Sequence, residues 1–351
     1  MLYYMNLLSS IHNQIKYNSS TAPQTTATNI LANFISGSIA RAICSADGQV
    51  IYAYRVGSTG TNARRSTDGG TTWTSFPSMT SPNYGMYCSS SGQFVVVCAT
   101  NNVWYSTNYG ANWTITSVPL LCQDINGSLD FSTSSGYVYA FGSSDQRLIS
   151  FTTNAGSSFS NLNQRTNAPV EFYVCSKDGT SAIYITYNNN YNNGGTAVRK
   201  ITNMQTSTPT DTQLSTFSSI GYYSIYRLTV DKNSLTYIMF IQQSNIYLST
   251  NGGTTFNNIK TISPISNYTS YGNNPSCAIS FSGKYMALST NVADLIYSKD
   301  YGNSWSVLTL SPSGARITDL SFACSTDTND TNENLLMIST NSYGIYKCLI
   351  L

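Results

Sequence analysis

The sequence predicts an all-β chain assembled from one small sheet copied many times, and three observations carry that prediction. One eight-residue pattern recurs as STDGGTTW (Ser66 to Trp73), STNYGANW (Ser106 to Trp113), TTNAGSSF (Thr152 to Phe159), STNGGTTF (Ser249 to Phe256) and SKDYGNSW (Ser298 to Trp305). Between the copies, short apolar runs of strand length alternate with Gly-bearing turns. The C-terminal GIYKCLIL (Gly344 to Leu351) matches the strand that leads into the pattern elsewhere and stops before the pattern itself. A fixed period on the order of 40–50 residues marks a repeat architecture, and four short antiparallel strands per period is the content of one propeller blade. The fold class is therefore a seven-bladed β-propeller of four-stranded antiparallel blades, closed by an N-terminal strand.

In chain order, residues 1–28 form an N-terminal extension and 29–351 the propeller. Met1, Met5, Leu8, Ile11 and Ile15 recur at helical spacing, so a short amphipathic helix is expected over 2–17, either a helix lying on its own domain or a frayed terminus, or a docking peptide for a partner assembly. The polar linker SSTAPQTTATN follows. The opening segment lacks a basic leader with a clean apolar core, and no run of 18 apolar residues occurs anywhere, which speaks against a standard signal peptide and against a membrane span. NILANFIS (Asn29 to Ser36) has the apolar content of a strand and is expected to pair beside the C-terminal strand, closing the ring so that no sheet edge is left open.

Each unit then reads as an apolar strand ending in a Gly turn (IARAICSADG, YGMYCSSSG, EFYVCSKDG, CAISFSG), a second strand (VIYAYRV, FVVVCAT, AIYITY, YMALST), a third running into the octapeptide, and a fourth opened by its aromatic residue. The octapeptides start at 66, 106, 152, 249 and 298; the interval from 152 to 249 holds two periods, so a degenerate copy is expected near AVRKITN (Ala197 to Asn203). That makes six units, and the C-terminal strands make a seventh.

The octapeptide has an architectural task. Asp68, Asn108, Asn154, Asn251 and Asp300 can accept hydrogen bonds from backbone N–H groups across a tight turn, the Gly takes a backbone conformation closed to other residues, and Trp73, Trp113, Phe159, Phe256 and Trp305 pack between sheets. These octapeptides resemble the Asp-box, or BNR repeat, of sialidases, sortilin-type receptor domains, some xyloglucan hydrolases and photosystem assembly factors. The resemblance runs from about residue 36 to the C-terminus and implies a sialidase-like propeller whose octapeptide turns lie away from the ligand face.

Composition narrows the function classes. Charged residues are 9% of the chain against roughly 25% in an average globular protein, with a net charge of +2 and no long basic run, so a dedicated nucleic-acid surface is not expected. The single histidine, His12, leaves no His base or Ser/His/Asp triad, and neither CxxC nor any other metal-ligand spacing occurs. No cofactor and no metal site is expected. The eight cysteines sit mostly within apolar runs and read as buried thiols.

Candidate site residues lie on the first strands and on the long loops. The first strand of each blade lines the central channel, which puts Arg41 and Arg227 at equivalent places and Arg316 at the opening of the last blade's first strand, with Glu171 as a channel carboxylate or the ion-pair partner of a neighbouring Arg. The loops NNNYNNGG (Asn188 to Gly195), Gln205 to Tyr223 and Ile262 to Asn274 carry Tyr191, Tyr222 and Tyr271 among amides and hydroxyls, the chemistry that holds a sugar. The sialidase resemblance implies three arginines around a substrate carboxylate, a Tyr–Glu nucleophile and an Asp acid. The arginines can be matched, but no FRIP-type segment precedes the first strand and only two glutamates exist, Glu171 and Glu333. No catalytic residue is therefore assigned. The sequence favours a noncatalytic recognition or assembly module that binds a protein partner or a glycan, with a sialidase-like glycoside hydrolase acting at the channel mouth as the alternative. Its Asn-, Ile-, Tyr- and Lys-rich composition resembles propellers encoded by large DNA viruses of protists, which leaves the compartment between virion and cytoplasm.

Overall fold

The computed structural model describes residues 25–32, 40–55, 63–76, 85–99, 101–118, 122–142, 148–165, 170–187, 196–206, 208–217, 225–242, 244–261, 275–290, 294–311, 316–341 and 343–351. These form seven four-stranded antiparallel sheets and no helix. Six blades use four consecutive strands each, with inner strands Ala40–Cys44, Met86–Cys88, Cys122–Gly127, Val170–Cys175, Ile225–Val230 and Cys277–Ile279. Blade 7 takes Ile317–Phe322, Leu335–Thr340 and Ile345–Leu349 from the C-terminus and its outer strand, Thr26–Leu31, from the N-terminus. Inner strands of successive blades touch around the whole circle, blade 7 against blade 1 included.

The closing strand lies earlier in the chain than its apolar content suggested. Thr26 pairs with Leu349 and Leu31 with Ile345, so Thr26–Leu31 closes the ring and only Asn29–Leu31 of the expected segment takes part. Edge register decides this, rather than hydrophobicity. Thr25 Oγ1 accepts from the Leu351 N–H at 3.0 Å, Ala27 packs into the core between blades 6 and 7, and Asn29 donates to the Tyr343 carbonyl at 2.7 Å beside an irregularity in the pairing. The strand thus straddles the expected boundary between residues 28 and 29. The helix expected over 2–17 lies outside the described residues.

The core is distributed. Seven buried clusters each join one pair of neighbouring blades, for example Tyr52, Tyr54, Met86, Val95 and Val97 between blades 1 and 2. Each sheet buries both faces against its neighbours, which is why second strands such as VVVCA (Val95–Ala99) and IMFIQ (Ile238–Gln242) are buried at every residue. Some of the abundant tyrosine goes into this packing. Tyr52, Tyr87 and Tyr139 are buried, and each donates its hydroxyl to the carbonyl of a glycine at the turn end of the next blade, Gly92, Gly127 and Gly179, at 2.6–2.8 Å.

The octapeptides are self-contained turns. In each complete copy the Ser or Thr oxygen accepts from the glycine N–H four residues on, as Ser106 does from Gly110 at 2.9 Å. The Asp or Asn oxygen accepts from the backbone N–H four residues beyond it, as Asn108 does from Asn112 at 2.9 Å. Trp73, Trp113 and Trp305 each donate their indole N–H to that glycine's carbonyl at 3.0 Å. The glycine is required twice over at Gly156, where φ is 100° and a Cβ would lie 2.9 Å from Cβ of Tyr105 on the previous blade.

One expectation about the cysteines fails. Cys98 and Cys122 are joined in a disulfide between blades 2 and 3, with Cα atoms 5.8 Å apart. They sit on strands of adjacent blades that face each other across the interface, a neighbour relation that sequence spacing does not reveal. Among the described residues no helix is long and apolar enough to cross a membrane.

Candidate functional site

The channel wall is built by the inner strands, and six of the seven end in the same small device; in blade 7 the corresponding residue is Ala323, whose backbone N–H donates to the Leu335 carbonyl. In the six, the residue after the strand, Ser45, Ser89, Ser128, Ser176 or Ser280, accepts through its hydroxyl from the N–H that opens the second strand; in blade 5 the carboxylate of Asp231 takes that place, accepting from Tyr237 N–H at 2.6 Å. Burial raises the Asp231 carboxyl, against hydrogen bonds from Ser234 and Tyr237 that favour its charged form. The next residues then bond to one another around the ring. Ala46 N–H donates to Ser90, Ser90 to Leu129, Leu129 to Lys177 and Lys177 to Lys232, all at 2.7–2.8 Å between backbone groups, while Asn233 donates to Phe281 and Cys324 to Cys44, each at 3.2 Å. The circle is completed between blades 6 and 7 by buried Glu333, which accepts from Ser280 Oγ at 2.8 Å and from the Ser282 N–H. The turn end of the channel is thereby drawn together by hydrogen bonds between blades.

Of the channel arginines, Arg227 on the inner strand of blade 5 makes a 2.8 Å ion pair with Asp319 on the inner strand of blade 7. The partner carboxylate is thus Asp319, two blades away, which also accepts from Ser276 Oγ of the intervening blade 6. Arg41 sits on the inner strand of blade 1 opposite Tyr54, half-buried. Arg316 precedes the inner strand of blade 7, its backbone N–H donating to Asn341 Oδ1 and its carbonyl accepting from the Asn341 N–H. Glu171 lies on the inner strand of blade 4 with its side chain outside the description, and Tyr191, Tyr222 and Tyr271 fall outside the described residues. The segment Gln205 to Tyr223, expected as a loop, contains the outer strand Thr210–Phe217 of blade 4.

At the turn end of the channel stands a residue that sequence reasoning missed, Lys232. It leaves blade 5, and its ammonium donates to Tyr87 Oη at 3.0 Å, to Asn126 Oδ1 at 2.9 Å and to the Gly127 carbonyl at 3.4 Å, on blades 2 and 3, while lying 4.6 Å from the centre of the Tyr87 ring. Beside it the Sγ atoms of Cys88 and Cys324 are 3.9 Å apart. The hydrogen bond from Cys88 and the Lys232 charge hold the Cys324 thiol below its ordinary range, while that same bond and burial push Cys88 up. Nothing in the spacing of residues 88, 232 and 324 signals this meeting; only the CS dipeptides before the Gly turns, at 44, 88 and 175, hint that thiols gather at this end.

On the same face, a groove of about 530 Å³ is lined by Asn233, Ser282, Lys284, Tyr285, Tyr301 and Asp330, among others. Tyr301 is 40% exposed and stacks on Tyr237, their ring centres 5.3 Å apart. Aromatic rings, amides and hydroxyls therefore meet on the face opposite the one the resemblance marked for ligands. Among the described residues no group of three His, Cys, Asp or Glu side chains is placed to hold a metal ion.

No protein-family model matches the chain, and no curated protein sequence does. Solved structures do. The chain is similar to YCF48 bound to D1 peptide, at 13% identity and a TM-score of 0.60, over 95% of this chain and 98% of that one. It is similar to the β-propeller domain of Cps50 (Swd1) from Myceliophteria thermophila, at 13% identity and a TM-score of 0.58, over 93% and 99%. A third likeness is to the GH74 enzyme of Niastella koreensis, at 14% identity and a TM-score of 0.55, over 90% of this chain but 44% of that one. At such identities what is shared is the fold, and the fold so shown is a seven-bladed β-propeller.

Proposed function

We propose that this chain is a noncatalytic recognition or assembly module, a propeller disc that binds a protein partner or a glycan in a virion-associated setting. The observation that carries the reading is how the buried described carboxylates are used. Asp231 closes a turn, Asp319 holds Arg227, and Glu333 ties blade 6 to blade 7. Hydrolysis of a glycosidic bond needs two carboxyl groups facing each other across a substrate, roughly 5–10 Å apart and open to it. These three are bound up in architecture instead.

The octapeptides, which resemble Asp-boxes, support the same reading, since their polar groups are satisfied within the turn. Two similar structures support it, YCF48 bound to a D1 peptide and the β-propeller domain of Cps50 (Swd1), although what they bind is a property of those proteins. A glycan array probed with the full chain and with residues 25–351 tests the proposal. The truncation stops at residue 24 because Thr25 and Thr26 belong to the ring closure. Saturable binding of a restricted glycan set, retained by the truncated disc, supports glycan recognition by the propeller. Binding lost with residues 1–24 assigns recognition to the extension, and absence of binding to any glycan leaves the protein-partner branch.

A further inference from the structure

We infer that Cys88 and Cys324 form a peroxide-oxidisable pair, a modification site that converts to a disulfide joining blade 2 to blade 7 across blade 1. The two residues are 236 positions apart in sequence, yet their sulfurs are already in contact at 3.9 Å. A disulfide at about 2.05 Å requires the sulfurs to close by about 2 Å, within reach of side-chain rotation and small backbone adjustment.

The two thiols are unequal, which assigns their roles. Cys324 is half-buried, whereas Cys88 is fully buried. The Lys232 ammonium, fixed by Tyr87, Asn126 and Gly127, stabilises negative charge on Cys324, and the Cys88 S–H can donate to it. The thiolate is the nucleophile in such chemistry, and Cys324 places a half-buried sulfur beside a cation and a second thiol, two features of peroxide-sensitive cysteines. Cys44 is nearby but fully buried, its thiol pushed up by burial, and it meets Cys324 through the backbone.

The chemistry balances in two steps. The Cys324 thiolate attacks one oxygen of a peroxide; the S–O bond forms, the O–O bond breaks, and the second oxygen leaves as water after taking a proton, giving a sulfenic acid. The Cys88 thiol then attacks that sulfur, the S–S bond forms, the S–O bond breaks, and a second water leaves with the Cys88 proton. Two electrons pass from the two thiols to one peroxide.

The consequence is mechanical. The wheel is closed by hydrogen bonds of the Thr26–Leu31 strand to Ile345–Leu349, with no covalent tie. A bond between residues 88 and 324 would clamp blades 7, 1 and 2 and restrict the unfolded chain through a very long loop.

The test treats the folded full chain with hydrogen peroxide, caps remaining thiols with N-ethylmaleimide, and maps peptides by mass spectrometry without reduction. The expected result is a peptide pair linking Cys88 to Cys324, formed before any other new cross-link, reversed by dithiothreitol, and accompanied by a rise of several degrees in melting temperature that the reductant removes. Lys232→Met should slow the reaction severalfold, and Cys88→Ser should leave Cys324 as a sulfenic acid that dimedone traps. Recovery of Cys324 as the alkylated thiol after peroxide, or its linkage to Cys44 in place of Cys88, overturns the inference. The wild-type map decides the matter even where a variant fails to fold.

Discussion

Blade 2 and blade 4 are built to the same plan with different means. In blade 2 the third strand, Asn102–Ser106, runs into a complete octapeptide, and Ser106, Asn108, Gly110 and Trp113 satisfy one another. In blade 4 the strand register puts Ile201 where Ser106 stands, both pairing with the first residue of the second strand, Ala182 and Val95 respectively. Asn203 keeps the place of Asn108, with φ of 55°, while Gln205 and Thr208 stand in for the glycine and the tryptophan. The turn keeps two backbone bonds, from Met204 N–H to Thr180 and from Thr206 N–H to Asn203, and one hydroxyl, Thr206 Oγ1, which donates to the Asn203 carbonyl and accepts from the Thr208 N–H. What replaces the side-chain network is length and packing. The last two strands extend to 7 and 8 residues, Ile201 and Met204 are buried, and Arg199 pairs with Asp211 at 3.1 Å. The octapeptide is thus one of two ways to fasten the outer edge of a blade, which is an architectural role.

The contrast can be broken at matched positions. Removal of the stacked aromatic has the largest expected effect: Trp113→Ala, which strips the ring from Phe76 and the indole bond from Gly110, should cost about 3 kcal/mol, while Thr208→Ala at the same place in blade 4 should leave the denaturant midpoint unchanged. Ser106→Ala, which leaves the Gly110 N–H without its acceptor, should cost about 1–2 kcal/mol in urea unfolding. In blade 4 the sensitive group is the ion pair, and Arg199→Met should cost about 1 kcal/mol, its partly exposed position keeping the effect small.

A smaller effect separates the Asp octapeptides from the Asn ones. Hydrogen bonds from the Thr72 side chain and backbone, and from Ser66, hold the Asp68 carboxyl down to about 2. A carboxyl depressed on folding contributes stability that is present above its unfolded value and is lost as pH falls through its folded value, here between about pH 4 and about pH 2. Melting curves across that window should fall less steeply for Asp68→Asn than for the wild type, whereas the loss of stability caused by Asn108→Ala should be the same at every pH in it. Smallest of all, Ala155→Gly relieves a left-handed φ of 55° and should stabilise by up to about 1 kcal/mol, less the chain entropy that glycine adds to the unfolded state.

Legibility in the sequence followed the physics of each element. The octapeptides were readable because a turn that satisfies its own polar groups needs particular residues at particular spacing. The blade count followed from their period, including the copy that Ile201 and Gln205 disguise. The closing strand was placed late because Thr26, Ala27 and Thr28 are held by edge register and C-terminal contacts, while apolar Ile30 packs sideways into blade 1 at the Gly70 turn. Channel residues were assigned to their strands, but their partners were not, since Arg227 meets Asp319 and Lys232 meets Tyr87 only after the ring has closed. Other tyrosines, Tyr52 and Tyr139 among them, pin one blade to the next, a role that a strand residue's sequence context does not signal.

The use of the channel carboxylates separates a disc that binds from one that cleaves. Release of fluorophore from sialoside and glucoside substrates, measured for the wild type and for Asp319→Asn, addresses this most directly. A wild-type rate no faster than buffer is the expected result. Turnover by the wild type that disappears in Asp319→Asn, with the variant still folded, would contradict it.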